Sequence, residues 1–476
     1  MKQAKITKNY IYQSLANLIS LLVPLIMTPY LARVLGPEGI GISSYTGSVV
    51  AAFGIFLVLG AHDYGRLLIA ECGDNLQQRS KVFWEIFLCK LCASLFILPL
   101  YFLYTKSMHR YADIFFLQSI FLLSCFTDTT WVYQGMEDFR QLAARTIITR
   151  IGSIFLILLY VRGEGDLKNS LLIGLLTTLV SNLLLFFHLR HKLCWVKLSK
   201  LAPQNHAKNI VSFFLPILAA QLYLHIDKIM LGRFAVSIAE SGYYEQSRKV
   251  AEIITTLVVT INSVMVPRIA YLYARKEHEQ IKQHYQDSFY TILMLALPAA
   301  AGLYMISNQF VLWFFGNGYD KVAVLMKFSS AMILFSCVGN FVSSQYLIPT
   351  RQQNKATVIY AITACVNILL NSVLIPRLLS VGAMVASLVA EGLSGVLQMR
   401  LLLKSPYHFP LFEGGYRIVI GTLLMGCTVW GIQHTVSLPL TLMLFVEVMV
   451  GVGVYGLCLV AMKDPIILKL IDKELK

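Results

Sequence analysis

YIYQSLANLISLLVPLIMTPYLA, residues 10–32, contains no acidic or basic side chain. A hydrocarbon core of roughly 30 Å is crossed by about 20 residues of helix, so this stretch is long enough to span a bilayer. Lys2, Lys5 and Lys8 precede it, as they would a secretory leader. The run is longer than a leader's apolar core and no small-x-small cleavage site follows it, which reads as a retained first helix. Similar runs recur near residues 39–61, 82–104, 112–133, 142–161 and 169–189, and after a polar stretch, Arg190 to Lys208, near 209–232, 243–269, 287–307, 322–346, 356–376, 379–400, 415–434 and 438–461. The expected fold class is an all-α membrane protein of about 14 transmembrane helices. A barrel is excluded because its strands would alternate polar and apolar residues over about ten positions.

Composition agrees, since 57% of the 476 residues are hydrophobic and 14% are charged, which is too apolar for a soluble chain of this length. The runs divide the chain into a six-helix bundle at 1–189, a linker at 190–208, a second six-helix bundle at 209–402, and two appended helices with a tail at 403–476. Lys and Arg are retained in cytoplasmic loops. Of the 40 such residues, 26 fall on the side that carries both termini and 8 on the other, so both termini are expected in the cytoplasm. The net charge of +15 needs no nucleic-acid partner, because loops facing anionic headgroups account for it. The nine cysteines lie mostly in apolar runs, and Cys89 and Cys92 form an isolated CxxC within one of them; neither metal nor redox chemistry is expected from that placement.

An internal repeat supports the two-bundle division. Leu31-Ala32-Arg33 matches Leu231-Gly232-Arg233 at an offset of 200; Arg66 with Ile69-Ala70 matches Arg268-Ile269-Ala270 at 202; Gln134 and Arg140 match Gln345 and Arg351 at 211. The shared order suggests two bundles of the same orientation, related by an axis along the membrane normal. Chance combined with generic loop chemistry is the alternative.

At these landmarks the sequence resembles the Wzx-type polysaccharide flippases, which carry O-antigen, teichoic acid or exopolysaccharide repeat units and belong to the superfamily of the MATE exporters and lipid II flippases. The matching segments are YLARVLGPEGIG from Tyr30, QGMEDF from Gln134, QLYLHIDKIMLGRF from Gln221, GYYEQSRKV from Gly242, VPRIA from Val266 and FGNGYD from Phe315. The resemblance implies a MATE-like pair of six-helix bundles plus two C-terminal helices around a central cavity. It also implies alternating access that moves an undecaprenyl-diphosphate-linked oligosaccharide to the outer face of the cytoplasmic membrane. Expected partners are that substrate, membrane lipids, and a polysaccharide polymerase with chain-length proteins.

Ionisable groups inside a membrane are costly and therefore stand out as candidates. Lys90 falls mid-run, where it either meets an anionic headgroup or is neutralised by a carboxylate on another helix. Lys228, Arg248 and Lys249 are further cations for a substrate cavity, and Arg33 and Arg233, at outer helix ends, either release substrate or snorkel to headgroups. Glu245 and Glu252 stand at i,i+3 and i,i+4 spacings from Arg248 and Lys249, so pairing within one helix is equally available. Asp128, Asp227 and Glu391 complete the set as ion-coupling groups or charge partners, while Glu447 on an appended helix reads as peripheral. Asn367 and Asn371 share a helix face and suit helix-to-helix adhesion. Gly36-Pro37 and Gly39 fit a tight outer turn.

No GxxxxGK[ST] loop is present for nucleotide phosphates, and no cofactor is expected, which leaves an H+ or Na+ gradient or the substrate gradient as the energy source. A multidrug or metabolite exporter of the same architecture is one rival, expected to have an apolar or acidic cavity with few cations. A lipid II-type flippase is another. A membrane glycan polymerase is disfavoured because the outer loops are only about 5–12 residues long, too short to hold its substrates, and no enzyme activity is expected.

Overall fold

Backbone breaks divide the apolar runs into working lengths. The computed structural model describes residues 2–410 and 413–468; Lys469, Lys473 and Lys476, counted above on the cytoplasmic side, lie outside the described residues. The chain forms α1 (Lys2–Val58), α2 (Ala61–Cys72), α3 (Leu76–Ser107), α4 (Ala112–Thr127), α5 (Thr130–Gly135), α6 (Phe139–Tyr160), α7 (Leu167–His188) and α8 (Ala207–Phe234). It continues with α9 (Ala239–Val259), α10 (Ile261–Ala274), α11 (His278–Phe314), α12 (Asp320–Phe341), α13 (Gln353–Leu378), α14 (Ser380–Leu403), α15 (Gly415–Thr435) and α16 (Leu440–Ala461). A π-helical turn, Val342–Leu347, extends α12. No strand occurs among the described residues.

Eleven of the described helices are long and apolar enough to cross a membrane, or twelve if Pro203–Ala219 and Leu224–Phe234, bent by 55°, make one span. The sequence count of fourteen differs at two places. Leu18–Cys72 counts once at 55 residues, yet that much helix would be about 80 Å long and the backbone turns within it. Gly36 sits at φ 67° and ψ 173°, a conformation open to glycine and strained for other residues, and Pro37 fixes the residue that follows. The second place is α9, whose Glu240, Glu245, Arg248, Lys249 and Glu252 make it too charged to count by apolarity.

Two compact units result, Met1–Gly242 and Tyr243–Lys476. In the first, α1 packs against α4, α6 and α8, so α8, which the sequence repeat places at the start of the second half, lies in the first unit. Tyr30 Oη donates to the Val161 carbonyl at 2.6 Å, tying α1 to the end of α6. An aromatic cluster of Tyr64, Phe83, Trp131 and Tyr133 fills the space between α2, α3 and α5. In the second unit α11, α12, α13 and α14 pack in sequence-adjacent pairs, with α15 and α16 laid on α11. There, Tyr285 Oη donates to the Gln345 carbonyl at 2.9 Å, and Tyr455 Oη donates to the Met294 carbonyl at 2.8 Å.

Candidate functional site

Within the first unit, small residues on one face of α1 leave room for a cavity of about 540 Å³. Ser43, Gly47, Ala51 and Gly54 recur at helical spacing along its wall, and Phe121 and Cys125 of α4, Leu171 and Leu175 of α7, and Ile217, Gln221 and His225 of α8 close it. Gln118 also lines it and is 2% exposed. Its Nε2 donates to Thr46 Oγ1 at 2.7 Å, while its buried Oε1 has no partner among the described residues. The described lining carries no Lys, Arg, Asp or Glu, so what it offers an occupant is apolar contact and neutral hydrogen bonding.

Lys90 lies elsewhere. It is 3% exposed, and its Nζ donates to the carbonyls of Cys125 at 3.0 Å and Asp128 at 3.1 Å. The last carbonyls of a helix have no partner within it, and a cation suits that negative end; α3 thus supplies the cap where α4 stops. Asn182 of α7 adds a second, its Nδ2 donating to the Ser124 carbonyl at 2.9 Å. The sequence reading offered Lys90 a headgroup or a carboxylate; its hydrogen-bond partners here are main-chain oxygens.

Asp128 stands at the same break. Its Oδ1 accepts from the Thr130 amide at 2.9 Å, starting α5, and its Oδ2 lies 3.2 Å from His62 Nε2 of α2. Arg145 of α6, counted with the loop cations in the sequence, is half-buried. Its Nη1 donates to Asn182 Oδ1 at 3.0 Å, and it interacts electrostatically with Asp128.

The remaining candidates are dispersed. Arg33 and Arg233 are exposed, Asp227 is buried, and Lys228 and Glu391 are half-buried. On α9, Arg248 pairs with Glu252 and Lys249 with Glu245, each at 3.4 Å, the intrahelical arrangement that their spacing allows. Glu447 is 1% exposed, and Asn371 Nδ2 donates to Asn367 Oδ1 at 3.0 Å within α13. No cluster of metal-ligating side chains occurs among the described residues.

Sequence reasoning passed over a second buried network. Glu85 of α3 accepts from the Ala202 amide at 2.8 Å and lies 2.9 Å from His206 Nε2, while His206 Nδ1 is 2.8 Å from Tyr64 Oη. These bonds pin the polar linker to α2 and α3. An acid placed one turn inside an apolar run at Glu85, with a histidine in the linker, was the available signal.

The profile of the polysaccharide biosynthesis protein family matches residues 6–273, more than half of the chain. The chain belongs to this family. Among relatives, it is 21% identical over 392 residues to a protein of Escherichia coli K12 that carries the name of an O-antigen transporter, covering 81% of this chain and 93% of the other. Among solved structures, the lipid II flippase MurJ superposes with a TM-score of 0.72 at 16% identity, over 96% of this chain and all of that one. A multidrug resistance MATE family transporter of the MOP superfamily gives a TM-score of 0.64 at 13% identity, over 85% and 95%. At such identities the likeness concerns the fold, which this family member shares with both.

Proposed function

We propose that this protein is a flippase that moves an oligosaccharide linked to a polyprenyl diphosphate from the cytoplasmic to the outer face of the cytoplasmic membrane, by alternating access and for surface polysaccharide synthesis. The match to the named O-antigen transporter across 93% of that protein's length carries this reading, joined to a membrane-spanning helical architecture that leaves a cavity among its helices. Both termini lie in the cytoplasm on this reading, as the loop charges suggest. An H+ or Na+ gradient supplies the energy, and a polymerase with chain-length proteins takes up the product.

A second reading, an exporter of uncharged amphiphiles, is favoured by one observation: the cavity of the first unit is lined without fixed charge among the described residues, whereas a diphosphate seeks cations. Deleting the gene separates the two. A flippase leaves lipid-linked repeat units stranded on the cytoplasmic leaflet, detectable by spheroplast labelling. Unchanged surface glycan together with new sensitivity to amphiphilic drugs would overturn the proposal in favour of export.

A further inference from the structure

Two helices of the first unit are interrupted, and the interruptions face each other. α1 ends at Val58, and the chain passes through Leu59 at φ 50° and Gly60 at φ 67° before α2 starts. α4 ends at Thr127, and α5 starts two residues after Asp128. The short segments that follow, α2 and α5, are interlocked: a Cβ on Gly65 would stand 2.5 Å from the Trp131 ring and one on Gly135 2.7 Å from Ile69 Cβ. Distances that short admit no side chain, so α2 and α5 form one body, entered through Leu59-Gly60 on one side and Asp128-Thr129 on the other.

His62 and Asp128 sit at those two entrances. His62 Nε2 is 3.2 Å from Asp128 Oδ2 and 2.8 Å from Thr130 Oγ1. We propose that His62 and Asp128 form a proton-binding latch that closes the α2–α5 body onto the breaks from which its helices start. With the ring protonated, Nε2–H donates to the carboxylate and the pair is charge-assisted. With the ring neutral and its proton on Nδ1, the one lone pair of Nε2 accepts from the Thr130 hydroxyl and no proton is left between Nε2 and Asp128 Oδ2, so the latch opens. The two side chains are 36% and 23% exposed, which leaves a path for a proton from water.

The groups facing the pair are Lys90 on α3, hydrogen-bonded to the Asp128 carbonyl, Arg145 on α6 and Cys125 on α4. On α2 itself Asp63 is held by Arg66 at 3.2 Å, and His206 of the linker reaches Tyr64 rather than His62. Lys90 and Arg145 both interact electrostatically with Asp128, and the proton assigned to the latch is the one on His62. Use of this proton as the coupling ion rests on the translocation reading; the latch itself does not.

Hydrogen–deuterium exchange of the full chain in lipid nanodiscs tests the latch without any glycan substrate, so its failure leaves the flippase reading standing. After correction for intrinsic exchange, protection of segments 58–66 and 126–136 should fall together by about tenfold as pH rises from about 5 to about 8, the range of histidine charging, as expected for losing one charge-assisted hydrogen bond. His62→Gln and Asp128→Asn should each flatten that step while protection of α7 stays intact. A step that survives both variants, or that vanishes instead in His206→Gln, overturns the inference.

Discussion

Replacing Lys90 by Met keeps most of the side-chain volume and removes the ammonium group. Two main-chain carbonyls, of Cys125 and Asp128, then lose their donor, and a buried acceptor left unsatisfied costs about 1–3 kcal/mol. The lysine's own desolvation is recovered, which offsets part of the loss. A net destabilisation of about 3 kcal/mol, at the upper end of what single substitutions usually cost, is expected for the first unit. That corresponds to roughly a hundredfold shift in the opening of the α4–α5 break, at 1.4 kcal/mol per decade. Thermal unfolding of the purified protein, read by tryptophan emission, should show a lower midpoint. Limited proteolysis should cut earlier near residues 126–136. If Lys90→Met unfolds like wild type, the ammonium is not holding those carbonyls and the capping argument fails.

Gly47→Leu should block the cavity without disturbing the fold, because nothing lies within 4 Å of a Cβ at that position; surface glycan should fall several-fold at unchanged membrane abundance, and normal export would show that the cavity is unused. Glu85→Ala leaves the Ala202 amide without its acceptor and breaks the His206 contact. At about 1–3 kcal/mol for a buried donor so orphaned, the linker should become more sensitive to trypsin at Lys197 and Lys200. Arg351→Gly should raise the unfolding midpoint slightly, by up to about 1 kcal/mol of stability, because Arg351 closes its helix at φ 57° and is exposed; a lowered midpoint would mean that the side chain matters more than its backbone.

The helices were legible because apolar length is a one-dimensional property. The Gly36-Pro37 turn was legible as local glycine and proline chemistry, and the closing turns after α5 and the π-helical segment follow the repeat landmarks Gln134 and Gln345. At the latter, the Asp138 amide donates to the Tyr133 carbonyl at 2.9 Å and the Gln352 amide to Leu347 at 2.8 Å, after left-handed Glu137 and Arg351. The partners of the embedded charges were not legible. Lys90 binds carbonyls 35 and 38 positions away, and every residue has a carbonyl, so no side-chain pattern announces that an oxygen has been freed by a helix ending. Asp128 showed as an embedded acid, but His62 lies 66 residues away on a segment whose direction depends on two left-handed residues. Glu85 and His206 are 121 apart and met only because the linker folds back over α3. The intrahelical pairs of α9, four residues apart, needed no tertiary information.

A compartment walled chiefly by aliphatic side chains, glycine and amide groups, with His225 its one titratable ring among the described lining, is nearly insensitive to ionic strength while that ring is neutral. Screening acts between formal charges within a Debye length of about 8–10 Å, and the described wall of the first unit's cavity holds no Lys, Arg, Asp or Glu. An occupant held there should stay bound from dilute buffer to concentrated salt, whereas one gathered by the exposed Arg33 or Arg233 should be shed as counter-ions accumulate.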